Sequence, residues 1–180
     1  AEHALKLAGE GRHVVVVSSG DPGVFAMASA VFEAVETGPL SWRELDIAVL
    51  PGITAMLAAA ARLGAPLGHD FCVINLSDNL KPWSIIETRL RLAVEADFAM
   101  AFYNPRSKAR PEGFEKALDL LKRSCEKERL IMFARAVSTP EESLLTVALS
   151  DATHDMADMR TMVLLGSRQT RLIPRKNAAP

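Results

Sequence analysis

Seven short apolar runs set the limits on what this chain can fold into: His13 to Ser18, Asp46 to Leu50, Phe71 to Leu76, Phe98 to Tyr103, Leu130 to Ala134, Leu144 to Leu149 and Thr161 to Leu165. Most are continuous rather than alternating. That is the pattern of strands buried on both faces, so helices must cover the sheet. Helical patterns lie between them at Val24 to Thr37, Ile53 to Leu63, Trp83 to Glu95 and Pro111 to Lys127. In the third, Trp83, Ile86, Leu90 and Val94 share one face, while Glu87, Arg89 and Arg91 can face water. Strand and helix in alternation predict an α/β fold. After Leu130 the long helical patterns stop, which predicts an antiparallel or mixed sheet there.

Pro51-Gly52 separates strand from helix, and Gly64-Ala65-Pro66-Leu67-Gly68 reads as a linker. The expected organisation is a partial N-terminal α/β domain over residues 1–67 and a C-terminal α/β domain with a mixed sheet over 68–180. The first domain has two strand runs, too few for a stable sheet, which predicts a strand or two upstream of Ala1. Leu5, Leu7 and Ala8 before Gly9-Glu10-Gly11 read as the end of a helix stopped by glycine. The start, Ala1-Glu2-His3-Ala4, has neither a signal-peptide charge pattern nor an initiator methionine, so the chain is read as beginning inside a longer protein.

Of 180 residues, 49% are hydrophobic and 24% charged, which excludes disordered and collagen-like chains. With 21 basic against 22 acidic residues, no global field favours nucleic acid, and anion recognition must be local. No apolar stretch approaches the ~20 residues of a membrane span. Cys72 and Cys125 sit at apolar positions without a disulfide framework, which fits a cytoplasmic, reducing setting. His3, His13, His69 and His154 lack metal-ligand spacing, so no metal site is expected.

Five segments fall at strand ends, where open α/β sheets hold small ligands. In Ser18-Ser19-Gly20-Asp21-Pro22-Gly23 the glycines allow close approach of main-chain groups, while Asp21 suits a helix N-cap and Pro22 the first helical position. Pro51-Gly52-Ile53-Thr54-Ala55 opens a helix whose N–H groups can meet a polar or anionic group, or simply turns the chain. In Leu76-Ser77-Asp78-Asn79-Leu80-Lys81-Pro82-Trp83, Asp78 or Asn79 can cap the following helix and Pro82 fits its first position. Tyr103-Asn104-Pro105-Arg106-Ser107-Lys108-Ala109-Arg110 leaves a buried strand and at once carries three cations. Gly166-Ser167-Arg168-Gln169-Thr170-Arg171 is also basic and also follows a strand. Two Arg-rich loops suit a substrate with several carboxylates or phosphates, and equally suit a solvated surface. GxGxxG, Walker A, GxSxG and HExxH are all lacking. Chemistry in which a cofactor carries the activation and the protein aligns it remains open.

As an ordered set, Ser19-Gly20-Asp21-Pro22-Gly23, Pro51-Gly52-Ile53-Thr54-Ala55, Gly64-Ala65-Pro66-Leu67 with His69-Asp70-Phe71, Leu76-Ser77-Asp78 with Pro82-Trp83, Tyr103-Asn104-Pro105, and Asp158-Met159-Arg160-Thr161 resemble the tetrapyrrole methylases. The resemblance covers nearly the whole chain. It implies the tetrapyrrole methylase fold, with two α/β domains, S-adenosyl-L-methionine held between them mostly by main-chain groups, and a homodimer. It implies cofactor contacts at Ser19, Gly20, Asp21, Val24, Thr54, Ala55, Asn104 and, on a looser alignment, Ala136. The family begins with a strand and a glycine-proline loop that this chain lacks, so its first domain is read as incomplete. Ala26 stands where many relatives have glycine.

Within the family, the Ser-Asp…Pro-Trp and Tyr-Asn-Pro-Arg-Ser pieces imply methylation at ring carbon 17 of precorrin-3B, or its cobalt form, with contraction of the macrocycle during corrin ring construction. The substrate's acetate and propionate groups then give the basic loops a purpose, with Arg106, Lys108, Arg110, Arg168 and Arg171 as its expected rim. No catalytic acid or base is assigned; Asp21, Ser77 and Asp78 are candidates, each with a capping explanation. A sibling methylase acting on another ring carbon, or an inactive fragment that keeps the fold, are the competing readings.

Overall fold

The computed structural model of the chain describes residues 1–106 and 111–174. It divides into two compact units, Ala1–Thr54 and Ala55 onward. The division falls before the helix that the sequence pattern assigns to the first domain, because that helix packs on the sheet of the second.

In the second unit, helix α3 (Ala55–Leu63) is followed by β1 (Phe71–Asn75), α4 (Trp83–Glu95), β2 (Ala99–Tyr103), α5 (Glu112–Ser124), β3 (Leu130–Arg135), β4 (Ser143–Ala148) and β5 (Thr161–Leu165). The five strands form one mixed sheet in the order β1-β2-β5-β3-β4. β1 and β2 are parallel, while β5 runs antiparallel to both β2 and β3, and β4 antiparallel to β3. It follows that β1, β2 and β3 point the same way, and their C-terminal ends share one rim of the sheet.

The period of two along each central strand builds two cores. Met100, Phe102, Ile131, Phe133, Val163 and Leu165 face α4 and α5, meeting Ile86, Leu90, Phe114 and Leu121. Their neighbours Ala101, Met132, Ala134, Met162 and Leu164 face α3 through Ala59 and Ala60. Alanines on both sides of the second interface let α3 lie close to the sheet. The five strands expected from Phe71 onward are present, and α4 has the boundaries and the buried face that the pattern predicts.

The first unit contains α1 (Glu2–Gly9), α2 (Met27–Thr37) and a short 3-10 turn at Leu40–Glu44. The runs at 13–18 and 46–50, expected as strands, have no strand ladder. A strand exists only through a hydrogen-bonded neighbour, and these two runs do not pair with each other. Val14 to Val17 and Ile47 to Leu50 instead border a cavity of about 840 Å³ together with Val31 and Phe32.

Candidate functional site

Two of the glycine-bearing loops meet in the first unit, and Asp21 joins them. Its Oδ1 accepts the Gly23 N–H at 2.8 Å and its Oδ2 accepts the Gly52 N–H at 3.1 Å. Asp21 is therefore a cross-loop bridge rather than the expected helix cap; α2 starts at Met27, with Ala26 at its N-cap. The carboxylate is drawn away from the helix because two main-chain donors converge on it. Gly20 has φ +75°, and a Cβ added at Gly52 would stand 2.2 Å from the Gly20 carbonyl oxygen. Both glycines are thus required by the local backbone. Ser19 and Gly20 are exposed, Val24 is half-buried, and Thr54 is buried.

In the second unit, the C-terminal rim of β1, β2 and β3 gathers the remaining expected contacts. Asn104 follows β2 and Ala136 follows β3, and both have left-handed backbones, with φ 52° and 49°. Such conformations are uncommon outside glycine and cluster where a main chain is held for function. Each is held here. The Asn104 side-chain amide donates to Asn75 Oδ1 at 3.1 Å, and the same oxygen accepts the Ser77 N–H at 2.9 Å. Lys81 Nζ then donates to the Ser77 carbonyl at 3.0 Å. The Ala136 N–H donates to the Arg160 carbonyl, and its own carbonyl accepts the Thr139 hydroxyl at 2.8 Å.

The Asp158-Met159-Arg160-Thr161 motif explains how the Ala136 loop is fixed. Asp158 accepts the Thr161 hydroxyl and the Arg160 N–H on one oxygen and pairs with Arg135 at 2.7 Å through the other. Burial pushes this carboxyl up, but the Thr161 hydroxyl, Arg135 and the Arg160 N–H together hold it below its ordinary value. A further tie joins α3 to β2: the Met56 N–H donates to the Tyr103 hydroxyl at 3.1 Å. Exposed Ala55, at the start of α3, stands one residue from that bond.

The expected substrate cations do not share this rim. Half-buried Arg106 follows β2 beside Asn104, whereas Lys108 and Arg110 lie outside the described residues. Arg168 follows β5, which runs the other way, and so lies at the opposite rim with exposed Arg171 further along the same segment. There Arg168 Nε pairs with Glu126 at 2.8 Å, and its N–H donates to Asp97 at 3.0 Å. Buried Arg129 joins the same two acids, each at 2.9 Å. Glu126's own N–H, followed by Arg168 and Arg129, holds its carboxyl down from 4.5 to about 2. Opposite charges within one cluster thus occupy Arg168.

The expected caps of α4 differ as well. Pro82 stands at its N-cap rather than its first position, and no side chain caps that end. Asn75 is a position that the sequence pattern does not single out, and Tyr103 enters it only as part of a motif, without a role. A polar amide or a phenol closing an apolar strand needs a partner, and that was the available signal.

The family model for Tetrapyrrole (Corrin/Porphyrin) Methylases matches residues 1–153. The chain belongs to the tetrapyrrole methylases. Among the relatives of this tetrapyrrole methylase is a Sinorhizobium protein named precorrin-3B C(17)-methyltransferase, 51% identical over 175 residues, covering 97% of this chain and 69% of that one. The cobalamin biosynthesis protein CobIJ of Mycobacterium bovis is 45% identical over 175 residues, and this chain spans 34% of its length. A crystal structure of the methyltransferase CobJ superimposes with TM-score 0.94 at 65% identity, covering 97% of this chain and 72% of that one. Members of the family use S-adenosylmethionine.

Proposed function

We propose that this tetrapyrrole methylase transfers a methyl group from S-adenosyl-L-methionine to ring carbon 17 of precorrin-3B or its cobalt form, coupled to contraction of the macrocycle. What carries the reading is the likeness to the relative named precorrin-3B C(17)-methyltransferase; left-handed Asn104 and Ala136 share one rim, where the resemblance implies cofactor contacts. The Ala136 N–H and carbonyl are already engaged, so that loop offers a fixed wall, whereas the exposed turn at Ser19 and Gly20 can meet a ligand with main-chain groups.

The bound donor supplies an activated sulfonium methyl, so the protein's work is alignment more than acid–base chemistry. Ser19, Gly20, Asp21, Val24, Thr54, Ala55, Asn104 and Ala136 hold the donor in this reading. Asp21 does so indirectly, by fixing the two glycine turns. Arg106 meets a substrate carboxylate through paired hydrogen bonds. The protein acts in the cytoplasm, where Cys72 and Cys125 remain free thiols; burial raises both. It assembles as a homodimer, which sedimentation velocity tests.

Incubation with S-adenosylmethionine and precorrin-3B, followed by mass spectrometry and NMR of the product, tests the reaction. A single added methyl at carbon 17 supports it. Methylation at another carbon favours a sibling activity, and an unchanged macrocycle with a folded protein favours a fragment that keeps only the fold. Arg106→Ala is expected to raise the macrocycle's dissociation constant and leave that of S-adenosylhomocysteine unchanged.

A further inference from the structure

We propose that Asn75 is a positioning residue for the methyl-donor site, acting through Asn104; the inference rests on the cofactor reading above. Asn75 closes β1, and its register partner Tyr103 closes the parallel neighbour β2. One side-chain oxygen of Asn75 therefore sits between the two segments as they leave the sheet. It takes the Ser77 N–H from its own segment and the Asn104 side-chain amide from the one after β2, at 2.9 and 3.1 Å.

Three features make this a coupling device. Asn104 has φ 52°, a conformation that a side-chain tether can hold but that the backbone leaves readily on its own. The Ser77 carbonyl is itself fixed by Lys81, so the loop delivers its N–H to Asn75 from a braced position. The Leu76 N–H donates to the Tyr103 carbonyl at 3.0 Å, so the strand pairing continues up to the branch point. Asn104 is exposed beyond that point, and among the described residues Asn75 is the neighbour that holds its side chain. Loss of the shared acceptor frees Asn104 and leaves the Ser77 N–H short of its partner.

The test compares Asn75→Leu, which keeps the size and removes the oxygen, with Asn75→Asp, which keeps an acceptor. S-Adenosylhomocysteine binding is measured by calorimetry, with circular dichroism to check folding. Expected are roughly tenfold weaker binding in Asn75→Leu, the scale of one lost hydrogen bond, and affinity within about threefold of wild type in Asn75→Asp. Wild-type binding with an unaffected Asn75→Leu overturns the positioning role and leaves the cofactor reading standing. A folded Asn75→Asp as weak as Asn75→Leu also overturns it, since the acceptor would then not be what matters. No binding by the folded wild type overturns the cofactor reading and this role together. If Asn75→Leu fails to fold, the wild-type ¹⁵N spectrum decides. Ligand that moves the Asn104 side-chain amide and the Ser77 backbone amide together supports the shared acceptor, and movement of one without the other overturns it.

Discussion

The two units carry similar apolar runs and differ in how those runs are paired and buried. Both contain continuous apolar runs next to helical patterns, yet in the second unit those runs are strands and in the first they are not. Ala101, Phe102, Val163 and Leu164 are fully buried, whereas Val15 and Val17 are 83% and 86% exposed. Leu5 is the buried hydrophobic residue of the first unit; the rest belong to the second. An apolar run codes for a strand only together with a neighbour that takes up its main-chain groups. The second unit supplies neighbours on both sides of its central strands, and the first supplies a cavity.

Substitutions sharpen this contrast. Phe102→Ala, in the main core of the second unit, is expected to cost about 3 to 5 kcal/mol in urea unfolding. A cost below about 1 kcal/mol would break the view that this sheet holds the stability. Arg129→Ala is next, at about 2 to 3 kcal/mol, because it strands Asp97 and Glu126; both acids keep water contact, which limits the loss. In the first unit Asp21→Ala removes two main-chain hydrogen bonds, with an expected cost of about 1 kcal/mol. It should appear as faster hydrogen exchange at the Gly23 and Gly52 amides.

The acid response separates the units too. Glu126 has its carboxyl held at about 2 in the folded protein against 4.5 ordinarily. Its contribution is therefore fully present above pH 4.5 and is lost as pH falls towards 2. Arg168→Ala is expected to flatten the stability profile in that window, and an unchanged slope would argue against the cluster. The smallest effect is expected for Val17→Ala, within about 0.5 kcal/mol, as for other exposed positions without a special contact.

Much of the second unit was legible because its signals are local and repeated. Continuous runs marked β2, β3 and β5, and the spacing of Trp83, Ile86, Leu90 and Val94 marked α4. What remained hidden depends on strand direction. Arg106 and Arg168 look alike in sequence, each following an apolar strand, yet β2 and β5 are antiparallel and send them to opposite rims. An acid before proline has the local pattern of a helix cap, and Asp21 is a bridge instead. Its bridge to Gly52 spans 31 residues, a separation no local pattern encodes. Left-handed Asn104 and Ala136 are similarly set by tertiary ties, to Asn75 and Arg160, rather than by residue type alone.

The bond between Tyr103 and Met56 gives the protein an optical handle. Tyr103 is its single tyrosine. The tyrosine bands of an ultraviolet Raman spectrum therefore come from one phenol, and that phenol sits where α3 starts and β2 ends. Their intensity ratio follows hydrogen bonding at the hydroxyl, so a ligand that shifts the junction should change it. Scattered light alone, without a label or a substitution, can then follow the joint as the protein works.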